Sequence, residues 1–261
     1  MWKLVLFNLI TIAVIALGLW LVKRWVKGER GQNILLISAA CLTILCHYSS
    51  LIFHLFANDG SAVAYLAETP NLILPIYPCN LVMWAALLFA LLKNKRGRLG
   101  AFLADYLFWF GIFSTLVGMF ANVDFINNPT LADYEVTKSI LAHATLLFNV
   151  LLLPLFGYIK VDFKRNLTHM LYSVLGMLLV GLYCNLIFHV LVSEEMAYEV
   201  NSMFLLHSPF AGVEFLTYPF IATVALLLYA ALFALLERIY LPKEKRFFHR
   251  LFHKEKGRGE S

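Results

Sequence analysis

The amino-acid sequence predicts an all-α polytopic membrane protein, a seven-transmembrane-helix bundle with its N-terminus outside and its C-terminus cytoplasmic. Three observations lead to this prediction. The 261-residue chain is 61% hydrophobic and only 14% charged, so it has too few charged side chains to cover a water-soluble domain. Its apolar residues fall into seven runs of membrane-spanning length. Its basic residues are concentrated in alternate connections between those runs.

Each predicted span is an apolar run of roughly 20 residues, the length that an α-helix needs to cross a bilayer. In chain order the spans are Leu4–Val22, Asn33–Phe56, Leu72–Leu92, Ala101–Met119, Val136–Tyr158, Thr168–Val190 and Leu216–Leu236. The first has no small-residue cleavage site before Lys23, so we expect a retained helix and not a signal peptide. The chain thus divides into a transmembrane domain, residues 1–236, and a basic tail, residues 237–261.

The charges of the connections predict the orientation. Basic residues follow the first, third, fifth and seventh spans, whereas the other connections contain nine acids and one lysine, Lys138. The positive-inside rule therefore places the basic connections in the cytoplasm of a multi-pass protein of the cell membrane, with membrane lipids as its partners. The tail is predicted to be either a short amphipathic helix on an anionic inner leaflet or a solvated segment that only fixes topology. A tail this short beside a membrane predicts no nucleic-acid partner.

The cysteines do not form a metal-binding or disulfide pattern. Cys41, Cys46, Cys79 and Cys184 each fall inside an apolar run, and no two have CxxC spacing. We therefore expect no disulfide framework, no zinc site and no cofactor.

The start of the third span is unusual because it contains two prolines, Pro75 and Pro78, directly before Cys79 and Asn80. A proline inside a helix removes one backbone donor and leaves a carbonyl unpaired, which is costly in lipid. The sequence therefore predicts a kinked helix whose broken turn is buried in protein or lines a wet cavity. An inert cysteine in a structural kink is the other interpretation of the same residues.

Polar side chains of several predicted spans lie in one layer in the outer half of the membrane. At 1.5 Å per residue, Cys79 and His143 are both about 10 Å below the outer boundary. The other members are predicted to support or bind a substrate: His47, His54, Tyr77, Asn80, Asn185 and His189. Ionisable residues inside a membrane usually face the bundle interior or a water-filled path. A single histidine satisfied by a backbone carbonyl is the competing explanation for each.

This layer predicts acyl-transfer chemistry. Cys79 is a competent nucleophile once a neighbouring imidazole takes its proton, and His143 is the first choice for that base, with His47 second. Asn80 and Asn185 are expected to orient the base or to donate to an oxyanion.

The same residues resemble a known family. The run Leu74-Pro75-Ile76-Tyr77-Pro78-Cys79 is similar to the Leu-Pro-Leu-His-Leu-Cys stretch of the YwaF-like bacterial integral membrane proteins, and His143 is similar to the histidine of their fifth helix. Tyr183-Cys184-Asn185-Leu186 resembles their sixth helix, and Ser208-Pro209-Phe210 resembles their Gly-Pro turn. Tyr77 replaces the histidine of the motif. The family is distantly related to a eukaryotic transmembrane acyltransferase that handles phospholipid acyl chains through an acyl-cysteine, so the resemblance implies a role for Cys79 and His143.

The leading hypothesis is therefore a lipid acyltransferase or hydrolase with an outward-facing polar pocket. A non-enzymatic receptor or transporter that binds a small polar ligand in the same pocket is one alternative. Another is a haem b protein whose axial ligands are two of His47, His54, His143 and His189.

Overall fold

The computed structural model describes residues 2–57, 60–122, 125–126, 130–208 and 212–254, and their regular structure is helical. The helices are α1 (Trp2–Trp25), α2 (Glu29–Ala57), α3 (Ser61–Glu68), α4 (Pro78–Leu91), α5 (Arg98–Phe120), α6 (Tyr134–Leu155), α7 (Phe163–Leu191), α8 (Glu194–Val200), α9 (Tyr218–Tyr240) and α10 (Phe247–Lys254).

Six of the described helices, α1, α2, α5, α6, α7 and α9, are long and apolar enough to cross a membrane. They confirm a helical multi-pass membrane protein. The shorter apolar helix α4 has 14 residues, and at 1.5 Å per residue it is about 21 Å long, which is less than the roughly 30 Å hydrocarbon core. The seventh span, the orientation of the termini and the identity of the membrane stay predictions.

Pro78 begins α4, and Pro75 lies in the non-helical residues before it, so the predicted proline kink within a continuous third helix is wrong. A 3₁₀ turn covers Pro70–Leu72, residues 73–77 leave the helix, and α4 starts at Pro78. Tyr77 is extended, with φ −110° and ψ 151°, as the steric demand of a following proline requires. At the first helical position the missing N–H of Pro78 has no intrahelical acceptor to lose.

Side chains from α2 satisfy the irregular backbone that precedes α4. The Tyr48 hydroxyl donates to the Leu72 carbonyl over 2.9 Å, and the His47 imidazole hydrogen-bonds the backbone of Asn71. Non-helical backbone at membrane depth is tolerated where protein buries it or where it lines a cavity. These two bonds explain how the chain can leave the helical conformation here.

The chain packs as two compact units, Met1–Ile159 and Lys160–Ser261. In the first unit, α2, α4, α5 and α6 share an apolar core that includes Leu36, Val82, Phe89, Leu107 and Val150. Helix α5 contains a π-helical segment at Tyr106–Phe110.

Helix α1 is joined to the first unit through a buried amide. The Asn8 Nδ2 donates to the Met119 carbonyl over 2.7 Å. Leu4 packs with Phe125 and Ile140 beside it.

The second unit contains α7 to α10. Helix α9 continues to Tyr240, four residues past the predicted end of the last span at Leu236. The division at residues 236 and 237 stays a prediction, and residues 255–261 of the predicted tail lie outside the described residues.

Candidate functional site

Asn80 links the start of α4 to His47 on α2. Its side chain is buried, and its Oδ1 accepts the Tyr77 N–H over 3.2 Å, which caps the helix. That bond leaves Nδ2 as the donor, and Nδ2 lies 3.4 Å from His47 Nε2. A neutral His47 therefore accepts at Nε2 and carries its proton on Nδ1, which suits its bond to the Asn71 backbone. Asn80 thus contacts the His47 imidazole and also caps the start of the helix.

His143 on α6 has a defined tautomer. Its Nδ1 lies 2.8 Å from the Ser139 carbonyl oxygen, which can only accept, so Nδ1 carries the proton. In the neutral ring Nε2 is then the basic nitrogen. The ring packs against the backbone of Gly118 on α5, where a Cβ would lie 2.8 Å from the ring atom Cε1 and closer still to Nε2. His47 and His143 both lie in the first unit.

Cys79 is the second residue of α4, directly beside Asn80. Its side chain is half-buried against the core of the first unit. The start of a helix presents unpaired N–H groups and favours negative charge. Among the described residues, no hydrogen bond joins the Cys79 thiol to an imidazole, so the Cys79–His143 pair stays a prediction.

Sequence reasoning missed an ionic network between α2, α3 and α6. Lys138 pairs with Glu135, and its Nζ also donates to Ser50 Oγ over 2.9 Å and to the Tyr65 hydroxyl over 3.1 Å. Both Ser50 and the Tyr65 hydroxyl donate to the Glu135 carboxylate. The sequence analysis counted Glu135 among the acids of the outer connections and gave it no other role. The sequence does contain a sign of this ion pair. Lys138 is the one lysine among the acidic connections, and it lies three residues after Glu135, a spacing at which opposite charges on a helix meet.

His54 belongs to this network more than to the histidine pair. Its Nδ1 lies 2.8 Å from Ser61 Oγ, and its ring stacks on Tyr65 with centroids 4.6 Å apart. These contacts fasten the short helix α3 to the end of α2.

Two predicted site residues, Asn185 and His189, lie in the second unit. The Asn185 amide is bonded twice to one backbone residue: Oδ1 accepts the Ser202 N–H over 2.8 Å and Nδ2 donates to the Ser202 carbonyl over 3.3 Å. Asn185 therefore fixes the turn after α8. His189 is exposed near the end of α7.

The histidines and acids of the described residues were compared with the geometry of a metal centre. No group of three or more His, Cys, Asp or Glu side chains with metal-binding geometry occurs within the part of the chain that the structure describes. His47, His54 and His143 each already bond a protein group, to Asn80, Ser61 and Ser139 respectively. The haem alternative gains no support from these contacts.

A comparison with protein families identifies the family of this chain. The model of the TMEM164 family, a multi-pass membrane family, matches residues 1–237. No curated protein and no solved structure matches the chain significantly. The resemblance to YwaF-like bacterial proteins is not confirmed, and two residues quoted for it, Pro209 and Phe210, lie outside the described residues.

Proposed function

Because the chain belongs to the TMEM164 family, a family of multi-pass membrane proteins, we propose that it transfers or hydrolyses lipid acyl groups through a thioester on Cys79. One observation supports this most directly. Cys79 stands next to Asn80 in the first turn of α4, Asn80 contacts His47, and His143 lies in the same unit. A nucleophile, an amide and two imidazoles therefore belong to the same unit.

The proposed chemistry has two steps. An imidazole takes the Cys79 proton, and the thiolate attacks the acyl carbonyl of a lipid ester. The ester C–O bond then breaks, the imidazolium returns the proton to the leaving alcohol, and a thioester remains on Cys79. In the second step an acceptor alcohol or water attacks the thioester with the same imidazole as base, and the thiol is released.

In this proposal the two imidazoles have different roles. The Nε2 lone pair of His47 already accepts from the Asn80 amide. His143 uses Nδ1 for the Ser139 carbonyl, which fixes the ring and makes Nε2 its basic nitrogen. We therefore assign His47 and Asn80 to positioning, and His143 to proton transfer.

The test is the mass of the intact protein purified from its native membrane. We expect an added acyl mass that neutral hydroxylamine removes, because hydroxylamine cleaves thioesters, and that maps to Cys79. Cys79→Ala should abolish it. Cys46→Ala is the matched control, since Cys46 is also partly buried in the first unit and should not affect the adduct. An adduct that persists in Cys79→Ala would contradict the proposal, as would unmodified wild-type protein after incubation with vesicles of labelled phospholipid.

A second candidate is a receptor or transporter that binds a small polar ligand. The Lys138–Glu135 pair favours it, because this network supplies both charges to the first unit. Thermal stability in detergent, measured with a panel of amino acids and nucleosides, distinguishes the two. Stabilisation by one compound that survives Cys79→Ala but is lost in Lys138→Met would favour ligand binding over acyl transfer.

A further inference from the structure

A buried carboxylate, Glu237, fastens the C-terminal helix to the second unit. It lies near the end of α9 with only 2% of its surface exposed. Its Oε1 accepts the Phe163 N–H over 2.8 Å, and its Oε2 accepts the Phe247 N–H over 2.7 Å. Phe163 and Phe247 are the first residues of α7 and α10, so one carboxylate binds unpaired N–H groups at two helix N-termini.

Further contacts hold the connection between α9 and α10. The Arg246 guanidinium donates to the carbonyls of Leu241 over 2.9 Å and Arg238 over 3.0 Å. The Phe163 ring lies 5.0 Å from the rings of both Phe247 and Phe248, centroid to centroid. The start of α10 is therefore bonded to the start of α7 and the end of α9, and the helix is part of the second unit.

The sequence of α10 separates apolar from basic residues around the helix. At 100° per residue, Phe247, Phe248, Leu251 and Phe252 share one face, and the opposite face holds His249 and Arg250. The apolar face is only partly covered, because Phe248, Leu251 and Phe252 are 44%, 48% and 64% exposed.

The charges around this face identify its partner. Residues 243–254 contain five lysine or arginine residues and a single acid, Glu244. A helix with basic residues on one side and large apolar residues on the other binds in the interface of an anionic bilayer. The helix also follows the membrane-spanning helix α9 after a connection of only six residues, 241–246, which keeps it at the end of a span.

We propose that α10 is an interfacial helix that docks on an anionic lipid surface, and that Glu237 is the positioning residue that orients it. Leu251 and Phe252 enter the boundary between headgroups and acyl chains, while Arg250 and the preceding cations contact anionic headgroups. This proposal is independent of any acyl-transfer activity.

The experiment uses the full chain with its four native cysteines replaced by alanine and one new cysteine, Phe252→Cys, labelled with the fluorophore NBD. The protein is reconstituted into phosphatidylcholine vesicles with and without phosphatidylserine. Quenching by doxyl-labelled lipid reports whether the label contacts acyl chains. A label at Arg250→Cys, on the opposite face, is the matched control.

We expect quenching at position 252 to be at least about twofold stronger in the anionic vesicles, and to fall as added salt screens the charges. Position 250 should show little quenching in either. Glu237→Gln removes one of the two carboxylate acceptors, and it should abolish the difference between positions 252 and 250. A thermal melt checks that this variant folds, and Leu251→Ser, which leaves the Glu237 bonds intact, should weaken quenching at 252 without that risk.

Two results would overturn the proposal. One is equal quenching at position 252 in anionic and neutral vesicles. The other is a label at 252 that is shielded from water but not quenched by doxyl lipid, which would indicate a protein partner on this face.

Discussion

Gly118→Ala tests the role of His143 without removing the imidazole. The Cβ of an alanine at 118 would lie 2.8 Å from His143 Cε1, and closer still to Nε2 and Cδ2. Ordinary van der Waals separations are about 3.5 to 4 Å, so the ring must retreat by roughly 1 Å or more. The Nδ1 bond to Ser139, now 2.8 Å long, is then broken or bent.

The expected changes in stability and in reactivity differ in size. Loss of the hydrogen bond costs about 0.5 to 1.5 kcal/mol. Alanine in a helix interior gains about 1 kcal/mol over glycine, so the net change in the free energy of unfolding should stay within about 1 kcal/mol. A displacement of about 1 Å at a reacting group can cost about 10² in rate. We therefore expect Gly118→Ala to slow Cys79 chemistry by about 10- to 100-fold in a folded protein.

The assay follows modification of each cysteine by N-ethylmaleimide, a membrane-permeant electrophile, with mass spectrometry of the peptides. Cys79 should react first in the wild type, and His143→Ala should slow it by at least about tenfold, since a general base contributes about 10² to 10⁴. Gly176→Ala is the matched control, because Gly176 is also helical and a Cβ added there would meet no atom within 4 Å. It should leave the rate unchanged.

His143 is not the base for Cys79 if Cys79 reacts at the wild-type rate in both Gly118→Ala and His143→Ala. Cys79 is not an activated nucleophile if all four cysteines of the wild type react equally slowly. Either result would favour the second candidate, in which the two histidines and the ionic network bind a small polar ligand.

Further predictions concern the start of α4, the ionic network and the topology. Pro78→Ala should change the free energy of unfolding by less than about 1 kcal/mol, because a proline at the first helical position gives up no bond; a loss of several kcal/mol in a detergent melt would argue for a kink. Asn80→Ala should cost about 1 to 3 kcal/mol in the same melt, from the cap and the bond to the imidazole, and no loss would remove its positioning role. Lys138→Met should lower the free energy of unfolding by about 1 to 3 kcal/mol, which lies between the values for exposed and for buried ion pairs. The reason is that the lysine side chain is 12% exposed and the side chain of its glutamate partner is 47% exposed. Replacement of that glutamate by glutamine as well should recover part of the loss if the pair acts as a unit. Ser193→Cys should react with an impermeant thiol reagent in intact cells and Gly97→Cys should not; labelling at 97 alone would reverse the orientation.

The histidine pair shows how far depth along a helix can predict a site. Because an α-helix rises 1.5 Å per residue, counting from the ends of the spans predicts that His47 and His143 lie in the same layer. The structure puts both residues in the first unit. Depth does not specify direction around the helix axis. Counting depth therefore also assigned His54 and Asn185 to the predicted site. In the structure His54 bonds Ser61 and Asn185 bonds Ser202.

The prolines of the third span show a different limit. Hydropathy favours a helix from Leu72 onward, because the apolar character of the segment continues through both prolines. The structure begins α4 at Pro78, since side chains from α2 satisfy the backbone that precedes it. Those partners are distant in the chain; Tyr48 and Leu72, for example, are 24 residues apart. A local sequence pattern therefore cannot predict that the backbone before α4 is hydrogen-bonded.

Composition and apolar run length were enough to assign the class of this protein, because apolar runs of bilayer length leave a chain with few charges no stable state in water. Which polar groups meet depends instead on how the helices pack. The Asn80 amide divides its bonds between Tyr77 and His47, Lys138 and Glu135 pair beside Tyr65, and Glu237 bonds the first residues of two helices. The physical reason is that hydrophobic burial depends on area and has no direction, whereas a hydrogen bond requires two particular atoms within about 3 Å and in line.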